Sequence, residues 1–438
     1  MKQLVLLALC GFSALQGAVF NVLDYGATGD GKTKDTTPIA KAIAACAKAG
    51  GGTVYLPPGR YLTGPVVLKS NMTLEIDGGA TLLGSPDVAD YPLRDDVWNP
   101  GKKVVAALIS ATDAENVTVR GRGTVDGQGS NWWKLMGWPA RMKVKPENKT
   151  AQELEDIKKL ANGRPHLLEF IRCKFTAVEQ LHLINSPSWT IHPLLSEFVR
   201  VDGVTIENPV PSPNTDGINP ESCRNVQISN CRIDVGDDCI TLKSGKDAAG
   251  RKVGKPDENI TITNCVMLKG HGGVVIGSEM SGGVRNVTVS NCVFQGTDVG
   301  IRVKTQRGRG GVVEGLAATN IVMQDVKSAF TITMFYAGSE KEKGAFPVDE
   351  GTPRFRDFVF SNITARGSKT AGEVTGLKEM LVENISFSNI HIDAETGMKV
   401  TDAKDIDFRD VVIRAMSGPP LTVTGSERVN AAGVTGRR

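Results

Sequence analysis

"NVQISNCRI" (225–233), "NITITNCVM" (259–267) and "NVTVSNCVF" (286–294) are three versions of one phrase. Each alternates apolar and polar residues, meets an Asn, and begins a second short apolar run. More worn copies follow the same plan: "AVEQLHLINS", "VDGVTIENP", "GLAATNIVM", "DFVFSNITA" and "NISFSNIHI". The shared Asn falls at 185, 208, 230, 264, 291, 320, 362 and 389. Spacings that start in the low twenties mark a solenoid. The units are rich in Val, Ile and Thr, with Asn and Gly as punctuation, so they read as strands. A leucine-rich repeat would need regularly placed Leu, and a propeller blade about twice the length. The reading is therefore an all-β, single-stranded right-handed parallel β-helix. Asn at each bend is expected to take the left-handed backbone conformation and to ladder with its neighbours. Cys231, Cys265 and Cys292 occupy equivalent places and should stack as small buried thiols.

Composition agrees with this reading. The 438 residues include 49 Gly, and aromatics make up only 5%, which suits many tight turns and small stacked side chains. A formal charge of +3 carries no electrostatic footprint for nucleic acid. After the first twenty residues nothing is long and apolar enough to span a bilayer. The opening "MKQLVLLALCGFSALQGA" (1–18) has one Lys, an apolar run and small residues at its end, the plan of a secretory signal peptide. A secreted or periplasmic protein is expected. Residues 19–438 are then one β-helical domain. Removing Cys10 leaves seven cysteines with no metal-type spacing, and a chain this long needs no disulfide framework.

"DTTPIAKAIAACAKAGGG" (35–52) supplies an N-terminal capping helix: Asp35 or Thr36 can cap it, and Ile39, Ile43 and Cys46 share a face. Its expected place is over the open end of the solenoid. Between 131 and 165 the repeat breaks into a charged segment with helical periodicity from Ala151 to Ala161, read as an insertion projecting from the coils. The column is expected to bury its apolar strands within itself, which suits a monomer. The final "SERVNAAGVTGRR" is the only hint of an association surface.

Chemistry belongs to what departs from the repeat. "SPNTDGINPES" carries Asp216, and "VGDDCITLKSG" carries the adjacent Asp237 and Asp238. "KGHGGVVIGS" sets His271 among three glycines, and "GIRVKTQRGRGG" puts Arg302 and Lys304 on one strand face. Equivalent positions on neighbouring coils lie about 5 Å apart, so these groups can meet in one cleft. Gly236 permits a bend from which both acids of the pair splay outward. One of two such close carboxylates should keep its proton. A protonated and an ionised carboxylate are the equipment of glycoside hydrolysis.

"NTDG" (214–217), "GDDC" (236–239), "GHGG" (270–273) and "IRVK" (301–304), in that order, resemble the signature blocks of the polygalacturonases, glycoside hydrolase family 28. The opening from Val22 to Asn71 is similar as well, so the resemblance covers nearly all of the chain after the leader. It implies a β-helix that hydrolyses α-1,4 links between galacturonic acid units with inversion, without a metal or other cofactor. Its implied catalytic residues are Asp237 as general acid, Asp216 and Asp238 as holders of the water, and His271 as tuner of the acid. Its implied substrate-binding residues are Arg302 and Lys304, which suit an acidic sugar, with Asn214, Lys243 and Tyr336 as further contacts. The expected partner is an acidic polysaccharide or oligosaccharide, a galacturonan. "GSEMSGG" and "KTQRGRGG" are similar to the exo-acting bacterial branch. Three alternatives stay open at this point: another pectic backbone such as rhamnogalacturonan, a calcium-dependent lyase, and a β-helix that binds carbohydrate without cleaving it.

Overall fold

The structure, a computed structural model, describes residues 17–135, 150–160, 162–336 and 344–436. Most of the expected leader over 1–18 thus lies outside the described residues. The repeats form a right-handed parallel β-helix. Each strand pairs in parallel with its counterpart one coil on: Val226 faces Ile260, Ile260 faces Val287, and Val287 faces Leu316. Within a repeat, Ile260 and Ile262 point inward, and then Cys265 and Met267 do. The shift of parity comes from Asn264, whose φ of 56° turns the chain through a corner.

Seven of the eight marked Asn residues have this left-handed backbone: Asn185, Asn230, Asn264, Asn291, Asn320, Asn362 and Asn389. They ladder in part, with Asn264 donating to Asn230 at 3.4 Å, Asn320 to Asn291 at 3.3 Å and Asn389 to Asn362 at 2.8 Å. A second column was equally visible in the quoted repeats. Asn225, Asn259 and Asn286 are also left-handed, with Asn259 donating to Asn225 at 3.1 Å and Asn286 to Asn259 at 3.0 Å. Asn208 departs from the rule. It is buried, accepts from Ser186 N at 2.8 Å, and donates to Thr190 Oγ1 at 3.0 Å and Thr215 O at 3.3 Å. It therefore braces the loop that leads into Asp216.

Helix α1 (Thr36–Lys48) packs against the first coil strands Val19–Asn21 and Gly52–Leu56, burying Ile39, Ala42, Ile43 and Cys46. Asp35 stands at the N-cap position but bonds no helix amide. Its carboxylate accepts from Thr28 N at 2.7 Å and Gly29 N at 3.1 Å, so it ties the preceding turn to the helix start. The seven described cysteines are free and buried. The insertion is helical over Ala151–Leu160, but its first turns do not project. Trp132 and Trp133 are buried, Tyr91 meets Trp132 edge-on at 5.3 Å, and Trp133 donates to Ser186 O at 3.2 Å. The C-terminal tail is no loose end either: Glu427–Asn430 and Val434–Thr435 pair with the last long strand.

One face of the column positions the functional residues. It runs through Val66–Val67, Ile109–Thr112, Leu168–Ile171 and Ile191–Leu194, crosses single bridges at Ile218 and Glu221, and continues through Asp238–Leu242, Gly272–Gly277, Val299–Lys304 and Ser328–Thr333. No helix among the described residues is long and apolar enough to cross a membrane.

Candidate active site

Register brings together the groups that the motifs scatter over ninety residues of chain. Thr190 N donates to Asp216 O, Gly217 N to Asp238 O, and His271 N to Asp237 O, so the three carboxylates and the imidazole stand on adjacent coils. Asp238 opens the strand Asp238–Leu242 and pairs with Gly272, while Val275 pairs with Arg302 and Gly277 with Lys304. Gly270 shows why the chain needs glycine here. Its φ is +82°, and a Cβ would stand 2.4 Å from Asp237 O. The tight approach seats His271 directly beside Asp237.

The acidic pair does not splay outward as expected. A Cβ at Gly236 would stand 2.5 Å from Ser212 O, so this glycine lets two coils touch and does not supply a left-handed bend. Asp238 is only 2% exposed, and its Oδ2 accepts from Lys304 Nζ at 2.7 Å. Its Oδ1 is buried, has no hydrogen-bond partner among the described residues, and lies 3.8 Å from Arg302 Nη1. Asp237 is more open. Its Oδ1 takes the His271 Nδ1 bond at 3.0 Å and the Asp238 amide at 2.9 Å.

The third acid, Asp216, is buried, accepts from Asn219 Nδ2 at 2.9 Å and lies 4.0 Å from Lys243 Nζ. Burial, and then the charge of Asp237, push its carboxyl up to about 7. Burial also presses Asp237 upward, but the bond and charge of His271 outweigh it and leave Asp237 below the usual carboxylate range. The same bond raises His271 against its burial. Of these two acids, Asp216 is thus the one raised and Asp237 the one held down, because His271 bonds Asp237 directly while Lys243 stands 4.0 Å from Asp216.

The two cations share the face predicted for them but not the same duty. Lys304 is buried and held by Asp238, so it anchors an acid; Arg302 remains partly exposed beside it. Tyr336, placed only by a loose match, covers both, its ring centroid 5.2 Å from Lys304 Nζ and 5.9 Å from Arg302 Cζ. Lys243 is likewise buried. It bonds Glu279 Oε2 at 3.1 Å and lies 4.7 Å from the Trp189 ring, so it holds the ground beneath Asp216. Asn214 is exposed at the rim, where its Oδ1 accepts from Arg164 Nη2 at 2.9 Å.

Sequence reasoning missed Arg164, Trp189, His192 and Glu279. Arg164 sits inside the insertion, and no local pattern marks it. Its Nη1 donates to Pro187 O and Pro213 O at 2.7 Å, and burial lowers its guanidinium to about 10 against the opposing charges of Asp216 and Asp237. On the earlier coils these residues border a cavity of about 780 Å³, lined among others by Trp98, Arg164, Trp189, His192, Asn214 and Glu279. The carboxylates thus stand between the residues that border this pocket and the Arg302–Tyr336 pair. Two groups bring metal-ligand atoms together, Asp237–Asp238–His271 and His166–Glu169–His192. In the first, Asp237 already bonds His271 and Asp238 bonds Lys304; in the second, Arg94 grips both oxygens of Glu169.

Comparison with known proteins shows which family the whole chain resembles. The model of "Glycosyl hydrolases family 28" matches residues 46–408. A "Probable polygalacturonase" of Vitis vinifera is 34% identical over 386 residues, 85% of this chain and 74% of that protein. An "Endo-polygalacturonase" of Pectobacterium carotovorum subsp. carotovorum is 33% identical over 77% of this chain and 79% of its own. Among solved structures, a hyperthermoactive exopolygalacturonase from Thermotoga maritima superposes with a TM-score of 0.77 at 32% identity, covering 92% of this chain and 93% of that one.

Proposed function

The chain belongs to glycosyl hydrolase family 28, and on that footing we propose that it hydrolyses α-1,4 links of polygalacturonate with inversion, from the chain end. The observation that carries the reading is the row of three carboxylates with an imidazole on one and a cation on another, set between a pocket and Arg302. Asp237 passes the proton it shares with His271 to the glycosidic oxygen as the C1–O bond breaks. A water molecule attacks C1 from the opposite face, and its proton passes to the Asp216–Asp238 pair. The unpartnered Oδ1 of Asp238 supports that role. His271 shares one proton with Asp237 across their 3.0 Å bond and can resupply it.

Water and proton donor act on opposite sides of C1, so the leaving sugar lies toward Asp237 and Arg302. The guanidinium is suited to a uronate carboxylate, and Tyr336 offers a face for the sugar ring. The sugar that keeps C1 lies toward Asp216 and the pocket, which makes the pocket the seat of the non-reducing end. Lys243, Lys304 and Asn214 act through Asp216, Asp238 and Arg164, as positioning residues. The reading includes export directed by residues 1–18 and action as a monomer.

The test is purified protein on polygalacturonate, following reducing ends, ultraviolet absorbance of unsaturated products and product size, with Asp237→Asn as control. Saturated monomer is expected, and the variant should lose about 10²–10⁴-fold in kcat. Unsaturated products would replace hydrolysis with elimination. A ladder of saturated oligomers would keep hydrolysis and overturn action from the end.

A further inference from the structure

The one antiparallel sheet among the described strands lies outside the coils. Leu93–Asp95 pairs with Lys103–Val105 to make a hairpin whose turn carries Trp98. Arg94, Trp98, Lys102 and Val105 of this hairpin line the pocket together with Arg164, Asn214 and Glu279, the residues that adjoin the Asp216 side of the site. A free-standing two-stranded hairpin is marginal in water, so something must hold it against the cleft.

Besides a backbone bond from Val105 N to Asn162 O at 3.2 Å, two side chains hold it. Arg94 donates Nη2 to Glu169 Oε1 at 2.6 Å and Nε to Glu169 Oε2 at 3.1 Å, a two-pronged grip on a carboxylate that is 1% exposed. Glu169 belongs to the cleft-face strand Leu168–Ile171 and pairs in register with His192. His192 bonds Glu169 Oε1 through Nδ1 at 3.2 Å and Glu221 Oε2 through Nε2 at 2.9 Å, and Glu221 Oε1 accepts from Gly245 N at 3.2 Å. Gly245 meets the second, Trp98. A Cβ there would stand 2.9 Å from the Trp98 ring, so the missing side chain is what lets the indole approach the coil this closely. The buried row Arg94–Glu169–His192–Glu221 balances two negative charges with two positive ones when His192 is protonated. Removing the guanidinium leaves it with an uncompensated acid.

We infer that Arg94, latched onto Glu169, and Trp98, seated on Gly245, fix this hairpin as the end stop of the cleft and so limit cleavage to the terminal galacturonate. The inference rests on the hydrolysis from the chain end proposed above. Arg94 and Trp98 are positioning residues in it, because they set how far the polymer can enter and do not touch the bond that breaks. The pocket is of a size that encloses a small ligand, and a polymer could pass only if the hairpin swung away.

Full-length enzyme, Arg94→Met and Trp98→Ala are compared on polygalacturonate by sizing products at under 5% conversion and by viscosity loss per reducing end formed. Wild type should release monomer alone, with little loss of viscosity. Both variants should release oligomers from the earliest samples, lose viscosity at least threefold faster per bond cut, and show KM for trigalacturonate raised about tenfold with a smaller change in kcat. If Arg94→Met does not fold, Arg94→Met combined with Glu169→Gln removes both charges, and Trp98→Ala leaves the buried row intact. Monomer alone from every folded variant, with unchanged KM for the trimer, overturns the latch while leaving end-cleavage standing. Oligomers from wild type overturn both.

Discussion

The coils from Ile191 to Lys304 and those from Arg354 to Thr424 obey the same register rules, yet they are built differently. The later ones are long strands, Arg354–Thr375, Val382–Thr401 and Ala403–Thr424, each turning corners without leaving the ladder. Their interior is a column of phenylalanines. Phe360 stacks on Phe387 at 5.2 Å, and Phe387 on Phe408 at 4.9 Å. The earlier coils are broken into strands of three to seven residues in the stretch from Ile191 to Gly277, with buried Asp216, Asp238, Lys243, His192 and Glu221 among them. Regular coils hold the fold, and interrupted coils tolerate buried charge where another coil supplies an opposite one, as Lys304 does for Asp238 and His192 for Glu221. The site is thus the region that the repeat can least stabilise and must be supported from both sides.

The sharpest way to break this comparison is to injure each region once. Phe387→Ala should destabilise by about 3–5 kcal/mol through the cavity it opens, with kcat of the still-folded enzyme unchanged. Lys304→Met should cost stability on a similar scale, because Asp238 is left buried and unpaired, but it should also lower kcat by about 10²-fold. Paired denaturation and initial-rate measurements would decide. Equal loss of activity in both variants would erase the distinction.

A pH series sharpens it further. The folded pKa of Asp216, about 7, stands above its ordinary value of 3.8. A carboxyl raised in this way favours the folded state fully below its unfolded pKa, and the benefit is lost as pH rises from about 4 through about 7. Asp216→Asn, neutral at every pH, should therefore be more stable than wild type at pH 8 by about 1–3 kcal/mol and level with it at pH 4, while losing activity. Thermal melts at the two pH values test the sign. The smallest effect belongs to the corners: Asn320→Ala should cost about 1 kcal/mol for placing a Cβ without a local bond in the left-handed region, with no change in rate.

The fold was legible because the repeat exposes its own physics. Asn at a corner and Val, Ile or Cys beside it mean the same thing in every coil, so eight worn copies carry more than any one. The site was legible where a residue breaks that pattern, as Asp237, Asp238 and His271 do. What sequence could not show is which partner each charge takes. Lys304 looks like Arg302 on paper, and only the stacking of the coils assigns it to Asp238, two coils away. The low aromatic content likewise hid that five phenylalanines, Phe330, Phe358, Phe360, Phe387 and Phe408, gather in one column. Arg94, Trp98 and Arg164 come from irregular segments with no repeat to compare them against.

Helix α1 gives the column a direction. A parallel stack ends in a strand edge whose amides and carbonyls could template another coil, and so could the edge of any similar molecule. The helix lies across the first coil, on Val19–Asn21 and Gly52–Leu56, so lengthening by duplication of coils, and head-to-tail growth of filaments, meet a helix instead of a bare coil at this end of the column.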